Sequence, residues 1–133
     1  MAFKKYDLSD EEIVKIARLC VQEQGCVAGV RAEASQGANL LETNATYRRK
    51  FGSDIYSMFR NSGWYYKAAH FMDYGSASQT SIDAVREVLC EGKRIFPQYV
   101  DEHDCIDDIE WVKLSGKYVS KYDKSCYVRD KNS

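Results

Sequence analysis

The sequence predicts a mainly α single domain with one short extended or β segment near residues 94–104. Three observations carry this. Apolar residues recur at helical spacing over residues 13–21 behind a complete N-terminal cap signature. A second stretch, residues 27–44, is rich in Ala, Gly and Ser, as in a helix packed closely by its neighbours. The only proline, Pro97, sits where the helical period gives way to alternation.

The first helix begins after Leu8-Ser9-Asp10-Glu11-Glu12-Ile13. Ser9 caps, Glu12 closes a capping box, and Leu8 staples onto Ile13. Asp10 and Glu11 suit the positive end of the helix dipole. Ile13, Ile16, Ala17 and Cys20 form the buried stripe, widened by Val14 and Val21, while Lys15 and Arg18 face out. The helix ends near Gln24, with Gly25 as terminator. Glu23 falls in the last turn, seven residues after Ile16, and so continues the stripe. Desolvation there favours a protonated carboxyl, and the negative end of the helix acts the same way.

In the second helix Gly29 and Gly37 each cost about 1 kcal/mol relative to alanine. That cost fits close packing on the first helix. Glu33 and Asn39 are its polar members; either is able to face a cleft, although residues of these types are more often exposed. Residues 43–53 read as a polar loop, and residues 54–59 as a short helix opened by Ser53 and broken by Asn61-Ser62-Gly63. Residues 64–72 form an aromatic helical segment ending near Gly75. Ile82, Val85, Val88 and Leu89 mark an amphipathic helix closed by Gly92. Residues 94–103 read as a strand or extended loop. Residues 111–122 alternate weakly, and the polar tail, 124–133, reads as frayed beyond a core of 8–115 within the single domain 1–133.

Composition narrows the function. A formal net charge of -1 argues against a dedicated nucleic-acid binder, although Arg48, Arg49 and Lys50 form a local basic run. Five cysteines (Cys20, Cys26, Cys90, Cys105 and Cys126) make an odd set without a C-x-x-C pair, which fits free thiols better than a disulfide framework or a zinc knuckle. No apolar leader or membrane-length run stands out, so synthesis in a reducing cytoplasm without a signal peptide, and no membrane partner, are expected. Ten tyrosines suit both a half-buried core and a binding groove.

The order of these features resembles the cell wall hydrolases of the spore-cortex-lytic type, which have a lysozyme-like fold. In that family an A-R-x-x-x-x-E-x-x-G helix carries the catalytic glutamate, and Ala17-Arg18 followed by Glu23 is similar to it. Gly29 to Asn39 resembles the family's Gly-led helix. Gly63-Trp64-Tyr65 resembles its Gly-plus-aromatic segment, and Ala84 to Leu89 its A-x-x-A-x-x-x-L helix. Residues 96–103 resemble its extended aromatic stretch. The likeness spans about residues 13–104. The strings Q-E-Q-G and P-x-Y-V-D-E-H-D are also similar to small phage and prophage proteins of Gram-positive hosts. Three points depart from the hydrolases: Glu33 replaces an aliphatic residue, the loop between Glu23 and Gly29 is shorter, and the closing strand with its Phe-Tyr pair is not visible.

The resemblance implies a peptidoglycan glycosidase, either a lytic transglycosylase or a muramidase, with Glu23 as acid and then base on the glycan strand. It implies no cofactor and no metal, with phage tail or lysis components as further partners. The enzyme would reach the wall after cell lysis, through a holin-type route or by virion delivery. Glycoside cleavage normally uses two carboxylates, but a transglycosylase manages with one because the sugar's own 6-hydroxyl closes the ring. Asp101, Glu102 and Glu33 are the candidates for a second carboxylate. Trp64, Tyr65, Tyr99 and His103 are the candidates for the sugar-binding wall. Three other readings stand beside this one. Asp101, His103 and Cys105 alternate on an extended chain and are able to share a metal ion. Cys20 or Cys26 with His103 fits a peptidoglycan peptidase. The domain also fits a non-catalytic phage structural or glycan-binding module.

Overall fold

The computed structural model describes residues 3–105, 119–122 and 125–128, the three strands by their backbone alone. Its described part is mainly helical. The helices are α1 (Asp10–Gln24), α2 (Val27–Thr43), α3 (Ala45–Phe51), α4 (Ile55–Asn61), α5 (Ala68–Tyr74) and α6 (Gln79–Val85). A π-helical turn, Arg86–Cys90, extends α6. Strands β1 (Glu102–Cys105), β2 (Val119–Tyr122) and β3 (Ser125–Val128) form an antiparallel sheet in the order β1-β3-β2. None of the described helices is long and apolar enough to cross a membrane.

α1 starts and stops as its sequence requires. The Ser9 hydroxyl accepts from the Glu12 amide, and the Glu12 carboxylate accepts from the Ser9 amide. Gly25 ends the helix at φ 80°, where its amide reaches the Val21 carbonyl. The buried stripe runs Ile13, Ile16, Ala17, Cys20 and then Gln24, a progression of three and four. Seven residues from Ile16 was one step short. Gln24 occupies the stripe and Glu23 sits half-buried at its edge.

α2 is the central helix. It is buried over most of its length and packs on α1, α6, α3, α4 and the sheet. The expected close approach is present at both glycines. A Cβ on Gly29 would lie 2.5 Å from Gln24 Cβ, and one on Gly37 would overlap the Phe59 ring. A helix enclosed on all sides has no solvent face to give its polar residues. Glu33 and Asn39, expected toward water, are both fully buried.

Three further boundaries differ from expectation. Residues 45–51, expected as loop, form α3. Asn44 both ends α2 and caps α3, its side-chain oxygen accepting from the Thr46 and Tyr47 amides. Asp54 rather than Ser53 caps α4. In the aromatic segment the helix starts only at Ala68, after a turn through Gly63 (φ 77°) and Lys67 (φ 47°). Residues 95–101 are irregular and the strand begins at Glu102, so the extended reading of this region holds only at its end. β3 lies within the stretch expected to be frayed, and β2 covers the last four residues of the weak alternation. Residues 111–118 lie outside the described residues.

One ion pair joins three parts of the chain. The side chain of Arg94 has no exposed surface, and it grips Glu42 of α2 through both guanidinium nitrogens, at 2.7 and 2.5 Å. Tyr6 (2.6 Å) and Gln98 (2.8 Å) also donate to that carboxylate, and Arg94 donates to Asn39. The guanidinium lies 4.9 Å from the Phe3 ring centroid. Burial raises the Glu42 pKa, but the hydrogen bonds from Arg94, Tyr6 and Gln98 outweigh it, and the net effect is a lowered value. The N-terminal segment and the 94–101 loop are thus fastened to α2.

Candidate functional site

The junction of α1 and α2 gathers the polar side chains of the interior. Gly25 turns the chain in the left-handed region, and Cys26 caps α2, its sulfur accepting from the Gly29 amide at 3.3 Å. Because Gly29 has no Cβ, Gln24 lies flat against α2. Gln24 Nε2 then donates to Glu33 Oε2 at 3.5 Å. Glu33 is completely buried, and Gln24 is nearly so.

One turn along α2, the Gln36 amide connects two other segments. It donates to the Asp101 carbonyl at 2.8 Å and accepts from the Tyr65 hydroxyl at 3.4 Å. A further turn on, Asn39 Nδ2 donates to the carbonyls of Pro97 (2.9 Å) and Val100 (2.8 Å). The Asp101 carboxylate accepts from the Thr43 hydroxyl at 2.7 Å. One face of α2 therefore holds the 97–101 loop by side-chain amides.

Two groups report the charge in this region. Burial pushes the Cys20 thiol well up, and the nearby Glu33 and Glu23 carboxylates push it further. Burial likewise raises the Tyr65 phenol, with Glu33, Cys20 and Glu23 among the added causes.

The chain matches no protein-family model, no curated protein and no solved structure. The site must be read from its own geometry.

The predicted site residues fall into four groups. Glu23, Glu33 and Asp101 lie around α2, with Glu23 and Asp101 half-buried and Glu33 enclosed. Trp64 and Tyr99 keep 38% and 37% of their surface exposed, and the Trp64 ring meets that of Tyr47 edge to face. Tyr65 is different. It is 3% exposed and stacks on Phe59 with centroids 5.2 Å apart, so it packs the core and offers no open wall. Glu102 and His103 are in β1, and their side chains lie outside the described residues, as does that of Cys105. Sequence reasoning missed Gln24, Gln36 and Arg94. For the two glutamines the signal was present: Gln24 is four residues after Cys20 on the stripe, and Gln36 three after Glu33.

For the cysteine reading, Cys20 is sealed in the core with a thiol held protonated, which removes it as a nucleophile. Cys26 is exposed. For the metal reading, the Asp101 carboxylate is engaged by Thr43. No group of three or more metal-binding side chains occurs among the described residues.

Proposed function

We infer that this protein is a peptidoglycan glycosidase of the lytic-transglycosylase or muramidase type, of the kind carried by phages and prophages, with Glu23 as its general acid/base. The observation that carries the reading is the position of Glu23. It stands half-buried on the last turn of α1, beside the enclosed Gln24–Glu33 pair. A carboxyl so placed is partly shielded from water and still able to reach a ligand over the α1–α2 junction.

In this reading Glu23 gives its proton to the leaving glycosidic oxygen as the bond to the sugar carbon breaks. Its carboxylate then takes a proton back. In a transglycosylase that proton comes from the sugar's 6-hydroxyl, whose oxygen closes onto the same carbon to leave a 1,6-anhydro end. In a muramidase it comes from water, which needs a second carboxylate in contact with solvent. Glu33 is fully buried, and Asp101 is held by Thr43. Both facts count against these two as the second carboxylate, and the side chain of the third candidate, Glu102, lies outside the described residues. The enclosed amides of Gln24, Gln36 and Asn39 hold the framework, and Trp64 and Tyr99 are the exposed rings available to sugar faces.

The test is digestion of purified peptidoglycan by the native chain and by Glu23→Gln, with soluble products read by mass spectrometry. The native chain releases fragments with 1,6-anhydro ends, and the variant releases none while keeping its circular dichroism spectrum and melting temperature. Equal release by both would remove Glu23 from the mechanism. Binding of peptidoglycan without release by the native chain would leave a glycan-binding module.

A further inference from the structure

The basic run on α3 lies beside a cluster of three aromatic rings, Tyr47, Phe51 and Trp64. Tyr47 and Phe51, one helical turn apart, meet edge to face with centroids 6.2 Å apart. Trp64 meets Tyr47 in the same manner, also at 6.2 Å, and remains 38% exposed. On a helix Arg48 and Lys50 fall on opposite flanks of the Tyr47/Phe51 stripe, with Arg49 on the far side. Lys50 Nζ lies 5.4 Å from the Phe51 centroid. Lys67 follows in the turn that displays Trp64, a non-glycine residue held at φ 47°. Such a backbone persists where its surroundings impose it, often at sites that contact a ligand.

The charge is strongly segregated. Residues 44–67 hold five Lys/Arg against one Asp, a net of +4. The chain as a whole is -1, so the remainder carries -5. Arg60 is spent on Asp73, whereas Arg48, Arg49, Lys50 and Lys67 are exposed. Cations interleaved with rings form a surface for a ligand with both flat apolar faces and negative groups. Sugar rings supply the faces, and carboxylate or phosphate substituents supply the charge. A nucleic acid also has both; the glycosidase reading favours the sugar polymer, and a nucleic acid is one outcome of the test.

We propose that the surface formed by α3 and the 63–67 turn anchors an acidic glycan strand, with Trp64 and Tyr47 under the sugar rings and Arg48, Lys50 and Lys67 on its acid groups. The anchor rests on the glycosidase reading only for the identity of the polymer. Asn44, where α3 begins, is about 16 Å along the α2 axis from Glu33 at 1.5 Å per residue. The anchor and the Glu23 junction therefore lie toward opposite ends of α2. The anchor is thus a site of substrate retention, separate from the bond that is cut.

The test measures binding and not turnover. Chains carrying Glu23→Gln are mixed with purified Gram-positive sacculi, either intact or stripped of their phosphodiester-linked polymers, across a salt series. Soluble acidic glycan, neutral chitin oligosaccharide and oligothymidylate serve as competitors. The expected result is binding that weakens with salt, is competed by acidic glycan more strongly than by the neutral oligosaccharide, and drops about tenfold in Lys50→Gln/Lys67→Gln. Trp64→Ala reduces it at every salt concentration. Loss on stripping assigns the charge to the phosphate polymer, and retention assigns it to the carboxylates of the peptidoglycan itself; both support the anchor. Unchanged binding in the double variant and in Trp64→Ala overturns it, as does stronger competition by oligothymidylate than by acidic glycan. Arg48→Gln is kept apart because Arg48 also donates to the Glu42 carbonyl. If Glu23→Gln abolishes cleavage while these substitutions leave binding intact, the anchor fails and the glycosidase reading stands. If binding behaves as expected and no cleavage is found, the reverse holds.

Discussion

Replacing Arg94 by Met tests the fastening of the N-terminal segment and the 94–101 loop to α2. The Arg94 side chain has no exposed surface and that of Glu42 has 14%. Removing the guanidinium leaves a mostly buried carboxylate without its cation. Losing one partner of such a pair costs about 3–5 kcal/mol. Glu42 keeps hydrogen bonds from Tyr6 and Gln98, so the lower end, about 3 kcal/mol, is expected. For 133 residues the unfolding entropy is about 0.28 kcal/mol per kelvin, which makes this a fall of about 11 °C in melting temperature. In Arg94→Met/Glu42→Gln the stranded charge is gone while the Tyr6 hydroxyl still has an acceptor, so the double variant recovers about 2 kcal/mol. The assay is urea unfolding followed by far-UV circular dichroism, with m-values compared to confirm that the unfolded states match. A single-variant loss below about 1 kcal/mol, or a double variant as unstable as the sum of the singles, refutes the reasoning.

Three other outcomes follow from the packing and the charges. Gly37→Ala gains up to about 1 kcal/mol of helix propensity but drives a methyl into the Phe59 ring and the Tyr65 hydroxyl, a net loss of about 1–2 kcal/mol by urea midpoint; a stabilised variant would contradict the fit. Arg60 and then Lys15 hold the Asp73 carboxyl down at about 2. Its stabilising effect is therefore complete above the unfolded value of about 3.9 and is lost as pH falls toward 2. Melting temperatures of the native chain and Asp73→Asn should differ at pH 5 and converge by about pH 2, and a gap independent of pH would argue against the pairing. A thiol reagent at mild alkaline pH, mapped by mass spectrometry, should label exposed Cys26 rapidly and Cys20 only on unfolding; early labelling of Cys20 would mean the core opens locally.

What could be read in advance was whatever is decided locally. The Ser9/Glu12 box and Gly25 fix both ends of α1 within a few residues, and they were legible. α3 was not, because Thr46, Arg48, Arg49 and Lys50 show no long apolar period and its start depends on the single side chain of Asn44. Glu33 was misplaced because the statistics of charged residues outweighed the context. Two glycines eight residues apart already implied neighbours on more than one side of α2, and a helix so enclosed must bury whatever lies between them. Glu23 was placed near the site but one position off the stripe, the difference between three-and-four spacing and a flat count of seven. Tyr65 could not be separated from Trp64 by pattern. Within the turn between Gly63 and Lys67 the adjacent rings part, Tyr65 stacking on Phe59 while Trp64 meets Tyr47 and stays partly exposed.

The sheet order also bears on how the chain is made. β3 follows both of its partners in sequence and yet lies between them. During synthesis neither β1 nor β2 has a ladder to join until Ser125–Val128 has left the ribosome. The helices can collapse around α2 well before then, while two open strand edges wait for the segment that closes them. A ribosome stalled, or a message cut, a few codons short of that strand would release a compact helical body with unsatisfied backbone along one flank. Aggregation of such products, rather than simple loss of the sheet, is the expected mark of late truncation.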